Sequence, residues 1–392
     1  MFKIKKNFFI NLAYSSIFLS IIFRALSIAN QDTFLRNLGY LFQAFVLLCY
    51  ILYGLITLKR CQINSVNIIL MILIIYQCII SLAKHSFLFP NTLLDVLTWP
   101  LSIIVYYNFS YQGTIPNSMR VKTWVSYAFL CAISFKLISI LMSGISRGGQ
   151  VIFPTYYCLT LLPLMLVLTE QKKYRYLCII FCIVVLFAST KRAGTLALIS
   201  SLFSMGIIEA HIQGTLNKKR KKYLYLFLVI CIGSILLIYL EKEFQLSIFK
   251  RFSTIFSDGG SGRDEIWKIT LRAYINSDLM DKIFGHGFQS VYYQLRPQGL
   301  SRFAHNSYLE YLYDYGILGL ILLVSFEIAL IGIEFKLIKN KSKYAPVMGM
   351  MLVITIFLSL FSYFFEESNI IQPMAIAYGV ILGLAYNEGR LI

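Results

Sequence analysis

Apolar stretches long enough to cross a lipid bilayer, roughly 17–25 residues, recur along almost the whole chain. Twelve are read, near 8–28, 38–58, 65–83, 91–108, 123–143, 151–169, 175–190, 192–210, 222–240, 315–334, 345–364 and 371–387. In hydrocarbon the backbone has to satisfy its own N–H and C=O groups, and segments of this length do so as helices. The pattern predicts an all-α integral membrane protein of about twelve transmembrane helices. A soluble globule is excluded: 58% of the residues are hydrophobic and only 14% are charged, too few charges to cover an aqueous surface. Disorder is excluded by the 27 Tyr and 31 Phe, because unfolded chains are poor in aromatic residues.

The charges supply a second test of the topology. Lys3, Lys5, Lys6, Lys59, Arg60, Arg120, Lys122, Lys172, Lys173, Arg175, the run from Lys218 to Lys222, Lys336, Lys339, Lys341, Lys343 and Arg390 all fall on one side. The turns on the other side hold only Arg36, Lys84, Arg147, Lys191 and Arg192. Short cytoplasmic loops collect Lys and Arg, so both termini are expected in the cytoplasm. The net charge of +18 then needs no nucleic-acid partner. The first apolar stretch has no small-residue cleavage site and is expected to be a retained span. No Cys and His grouping has metal-ligand spacing, so neither a zinc site nor a disulfide framework is expected.

This reading divides the chain into spans at 1–240, one long external segment at 241–314, and three further spans at 315–392. Loops this long are usually functional, and Trp267, Tyr274, Phe284, Phe288, Tyr292, Tyr293, Phe303 and Tyr308 give this one enough apolar surface to pack. Ser261-Gly262-Arg263-Asp264 resembles a capped helix start, with Ile266, Ile269, Thr270 and Ala273 following at helical spacing to about Asn276. A second helix is expected from near Ser301, with His305, Tyr308, Leu309 and Leu312 on one face, running on through Gly316 and Gly319. Gly285-His286-Gly287 reads as a turn, not as a nucleotide fingerprint.

Arg192 lies at the external start of a span and Arg263 at the start of the first loop helix. Helix N-termini carry unpaired N–H groups and positive dipole ends, and a guanidinium fork suits phosphate oxygens. Two such positions could clamp one pyrophosphate, with Lys191 as a helper. The plainer reading is that these cations reach lipid headgroups or pair with acids. His305 could accept a proton from a hydroxyl near neutral pH, although a lone histidine is more often packed or solvated. Arg24, Lys136 and Glu327 fall inside apolar stretches, where a charge should face inward and find a partner. A Lys136–Glu327 pair is one arrangement, and Arg24 could either join the anion site or lock the fold. Tyr292 and Tyr293 could stack on sugars, against the alternative of an interfacial aromatic belt.

The run Ser189-Thr190-Lys191-Arg192-Ala193, then Ser261-Gly262-Arg263 with Trp267, then Phe284-Gly285-His286-Gly287, then His305-Asn306-Ser307-Tyr308-Leu309 with Gly316 and Gly319 resembles the O-antigen ligase/polymerase superfamily. The likeness is concentrated between about 187 and 320. It implies a GT-C-like, metal-independent glycosyltransferase without cofactor, in the bacterial cytoplasmic (inner) membrane with its site facing the periplasm or cell exterior. By position, Arg192 and Arg263 would hold the pyrophosphate, His305 would activate the acceptor hydroxyl, and Asn306 would contact substrate. The implied partners are undecaprenyl-pyrophosphate-linked oligosaccharides as donor and acceptor, membrane lipids, and a chain-length regulator.

The motif His305-Asn306-Ser307-Tyr308-Leu309-Glu310 is similar to those of polymerases, which pass a growing glycan to the next lipid-linked repeat unit for O-antigen or capsule. A ligase, which passes the finished chain to lipid A-core, is the alternative. A lipid-linked-oligosaccharide flippase or other transporter is the non-enzymatic reading. Transporters concentrate function at the bilayer midplane, often with internal repeats, whereas these motifs gather at one surface.

Overall fold

The computed structural model describes residues 7–30, 32–57, 62–84, 86, 90–113, 115–142, 152–188, 192–214, 263–295 and 303–391. Among the described residues every regular element is a helix. In chain order these are α1 (Asn7–Asn30), α2 (Thr33–Thr57), α3 (Ser65–Ala83), α4 (Pro90–Tyr111), α5 (Asn117–Met142), α6 (Ile152–Leu168), α7 (Lys172–Ala188) and α8 (Arg192–Ile212). There follow α9 (Arg263–Asn276), α10 (Leu279–Phe284), α11 (Ser290–Gln294), α12 (Ser307–Lys339), α13 (Ala345–Phe361) and α14 (Ser368–Asn387). Eleven of the expected apolar stretches coincide with α1–α8 and α12–α14. The stretch near 222–240 lies outside the described residues. Six of the described helices are long and apolar enough to cross a membrane, and parts of α6 and α13 are shorter apolar helices. The chain is an all-α integral membrane protein.

The outer helices bury one face in the bundle and leave an apolar face exposed. On α3 the large exposed residues are Ile68, Met71, Ile72, Ile75, Ile79 and Leu82, while Val66, Leu70, Leu73, Gln77 and Ile80 are buried. Both sets recur at helical spacing, so one apolar stripe faces outward, as suits a helix that meets lipid. Helix α14 is the exception: 94% of its apolar window is buried, against 39% for α2, α3 and α12. It is the central helix and lies against α4 and α6. Gly379 and Gly383 permit the approach to α4, since a Cβ at Gly379 would come 2.6 Å from the Ile103 carbonyl and one at Gly383 would meet that of Tyr107.

Helices α9, α10 and α11 pack on the first turns of α12 around a core of their own, made by Ile266, Val291, Leu295, Ala304 and Tyr313. Helix α9 starts and ends where the sequence predicts, with Ile266 and Thr270 buried. The second loop helix departs from expectation. It starts at Ser307, and Asn306 is its N-cap, with the side-chain oxygen accepting from the N–H groups of Tyr308 at 3.0 Å and Leu309 at 3.2 Å. His305 precedes the helix with φ of +52°, a left-handed conformation that costs a non-glycine residue about 1–2 kcal/mol. His305 therefore does not share a helical face with Tyr308, Leu309 and Leu312.

Candidate functional site

The turn that carries His305 is held from three directions. Ahead of it, the indole Nε1 of Trp267 on α9 donates to the carbonyl of Ala304 at 2.8 Å. Behind it, the Glu310 carboxylate on α12 accepts from the N–H of Ala304, and the N–H of His305 is also directed at it. Beside it stands Tyr363, from the Ser362–Glu367 connection between α13 and α14, its ring centroid 5.5 Å from the imidazole. Tyr363 also stacks on Phe303 at 4.4 Å, and Phe303 stacks on Tyr292 at 5.1 Å. Tyr292 thus has a ring face occupied by protein, whereas Tyr293, edge-on to Tyr292, is exposed.

Arg263 opens α9 one helical turn before Trp267, so the two side chains share a face of that helix. It is half-buried and within electrostatic reach of Tyr156 near the start of α6. Arg192 is the first residue of α8. Its side chain, and Lys191 altogether, lie outside the described residues. The start of α8 is nevertheless at the His305 end of the bundle. Gly349, near the start of α13, packs on Ile208 and Ser204 near the end of α8. The two helices are therefore antiparallel, and α13 ends in the connection that bears Tyr363.

Arg24 reaches the same end and is already engaged. Its Nη2 lies 3.1 Å from Glu367 Oε1, and its guanidinium carbon is 4.6 Å from the centre of the Tyr40 ring. Asp95 and Tyr157 are within electrostatic range. The pair joins α1, α2 and the start of α14, as expected for an intramembrane charge that locks a fold. Glu327 pairs otherwise than with Lys136: the Tyr308 hydroxyl donates to its two carboxylate oxygens at 3.0 and 3.1 Å, and Lys136 is exposed on α5.

His286 is a satisfied structural residue. Its Nε2 is 2.9 Å from Ser277 Oγ, its Nδ1 is 3.4 Å from Asp281, and its ring stacks on Tyr313 at 4.4 Å. Burial holds its pKa below the ordinary histidine value. Lys84, at the end of α3, pairs with the same Asp281.

Sequence reasoning gave no role to Glu310, Asp314, Tyr363, Glu366 or Glu367. The Asp314 carboxylate accepts from the N–H groups of Gln289 at 2.6 Å and Val291 at 3.2 Å, which caps α11. Glu310, Asp314 and Glu366 each present an oxygen within 4.8 Å of the others, all buried. Three carboxylates could ligate a hard cation by donor type, but both oxygens of Asp314 and one of Glu310 already accept from backbone N–H groups, while Glu310 Oε2 is buried without a partner. Both oxygens of Glu366 lack a partner, and burial raises its pKa well above the ordinary value, with Glu310 and Asp314 adding to the rise. A signal was present in the sequence. The run Ser362-Tyr363-Phe364-Phe365-Glu366-Glu367 interrupts two apolar stretches with paired acids.

The fold defines a multi-pass membrane protein in which the His305 turn, the start of α9 tied to it through Trp267, and the buried carboxylates lie toward the end of the bundle at which α8 also starts. Residues 177–324 match the family model described as O-antigen ligase, so this part of the chain is similar to the O-antigen ligase/polymerase superfamily. The matched span begins in α7, takes in Arg192, Arg263 and His305, and ends within α12. No curated protein matches the chain.

Proposed function

We propose that the chain is a polysaccharide polymerase working at the outer face of a bacterial cytoplasmic membrane. It transfers a growing undecaprenyl-pyrophosphate-linked glycan onto the next lipid-linked repeat unit. The acceptor hydroxyl oxygen attacks the anomeric carbon of the donor as His305 takes its proton. The bond from that carbon to the lipid pyrophosphate breaks, and its electron pair leaves on the phosphate oxygen. Arg263 and Arg192 bind the pyrophosphate and neutralise the departing charge, the task for which fixed cations in a water-poor site are most effective. Most of the remaining work is holding donor and acceptor in line.

The observation that carries this reading is the Trp267–Ala304 hydrogen bond. It ties the helix begun by Arg263 to the turn that bears His305, so that a cation and a base belong to one rigid unit. A ligase is the second reading, favoured by the description of the matched family model. Purified protein in proteoliposomes, given a synthetic lipid-linked repeat unit alone, tests both. Polymer formation that His305→Ala reduces to a small residual rate supports the polymerase. Transfer only when lipid A-core is added identifies a ligase. Translocation of the lipid-linked unit without glycosyl transfer identifies a transporter and ends the proposal.

A further inference from the structure

We propose that Glu310 is the positioning residue for His305, an inference that rests on His305 being the base. His305 sits in the left-handed region, with φ of +52°, where a side chain does not stay unless its surroundings impose it. Two contacts impose it from the same helix. Asn306 turns its side-chain oxygen onto the N–H groups of Tyr308 and Leu309. Glu310, one turn further on, reaches back so that its carboxylate gathers the N–H groups of Ala304 and His305. Those two N–H groups precede the helix and have no turn of their own to bond to. Ala304 and Glu310 are fully buried, so water does not replace the carboxylate. The carboxylate therefore sets the direction in which the His305 Cα–Cβ bond leaves the backbone, while Tyr363 walls one side of the ring. Glu310 itself acts on the backbone and does not need to touch substrate.

The test uses the full-length protein in proteoliposomes with lipid-linked repeat unit, comparing Glu310→Gln and Glu310→Leu. Gln keeps one acceptor oxygen and Leu keeps none. We expect kcat to fall about 10-fold for Gln and on the order of 100-fold for Leu, the scale of a misplacement near 1 Å, with KM for the repeat unit unchanged in both. Placed in a His305→Ala background, Glu310→Gln should lower the residual rate no further, because a residue that acts only through another adds nothing once that one is gone. Multiplicative losses in that background, a raised KM, or full activity of Glu310→Gln would each overturn the assignment. Should the Leu variant fail to insert, the Gln variant and its double mutant carry the test alone. If His305→Ala itself keeps wild-type turnover, the base reading fails first, and this inference falls with it. If His305→Ala keeps only a small residual rate while the Gln variant is unimpaired, only the positioning role is lost.

Discussion

Gly285 and Gly316 are in backbone contact: a Cβ on Gly285 would lie 2.5 Å from the Gly316 nitrogen, and one on Gly316 would lie 2.7 Å from the Gly285 nitrogen. Both have positive φ, +84° and +65°. The break at Gly316 interrupts α12 and frees the carbonyls of the preceding turn. The loop and a neighbouring span take them up. The His286 N–H donates to Tyr313 at 3.1 Å, the Gly287 N–H to Asp314 at 2.8 Å, and the Tyr76 hydroxyl to Tyr315 at 2.8 Å. The Gly-His-Gly turn is thus the cap of a broken helix, and it fixes where the His305 segment stands over the bundle.

Gly316→Ala should therefore be severely destabilising. It combines a left-handed backbone with a Cβ driven into the Ile283 carbonyl, and together these cost about 3 kcal/mol or more. Thermal unfolding in detergent should show a clearly lowered midpoint. A wild-type midpoint would mean that the kink is not needed to hold the loop.

Trp267→Phe keeps a ring on α9 and removes the donor to Ala304. A single neutral hydrogen bond contributes about 1 kcal/mol, so the folded protein should survive with a small loss of midpoint. Glycosyl transfer should fall by far more than that loss suggests, because the bond links the Arg263 helix to the His305 turn. Equal turnover in Trp267→Phe and wild type, at equal amounts of folded protein, would remove that link from the mechanism.

Arg24→Gln leaves the Glu367 carboxylate, 14% exposed, without its cation. Removing one partner of a buried pair costs about 3–5 kcal/mol. The double variant Arg24→Gln with Glu367→Gln should recover a substantial part of the lost stability, measured as unfolding midpoint. Failure of the second change to restore anything would show that Arg24 is held mainly by Tyr40 and its other neighbours.

Glu366 makes stability depend on pH. Its pKa in the folded chain is raised well above the ordinary 4.5, so between those values the folded state binds more proton than the unfolded state. Its contribution is then fully present below 4.5 and is lost as pH rises through the raised value. Glu366→Gln cannot ionise, and its amide supplies donors to the neighbouring carboxylates. The wild-type midpoint should fall from pH 6 to pH 8.5 more steeply than that of Glu366→Gln. Parallel curves would mean that Glu366 binds its proton no more tightly in the folded chain than in the unfolded one.

What could be read from residue order alone was whatever depends on periodicity and on local chemistry. The apolar stretches became α1–α8 and α12–α14 because helical hydrogen bonding within one segment is what an apolar medium enforces. The loop helix from Arg263 to Asn276 followed from a capped start and a buried face at helical spacing. His305, Arg263 and Arg192 stood out because cations at helix starts and an imidazole at a surface have definite chemistry. Tertiary structure decided what those groups touch. Periodicity carries His305 into a helix, yet the Asn306 cap and the reach of Glu310 hold it outside one. Arg24 could have served an anion until Glu367, 343 positions further along the chain, took up its charge. Such partners belong to helices that meet only when the bundle closes, and no local pattern in either segment announces the meeting.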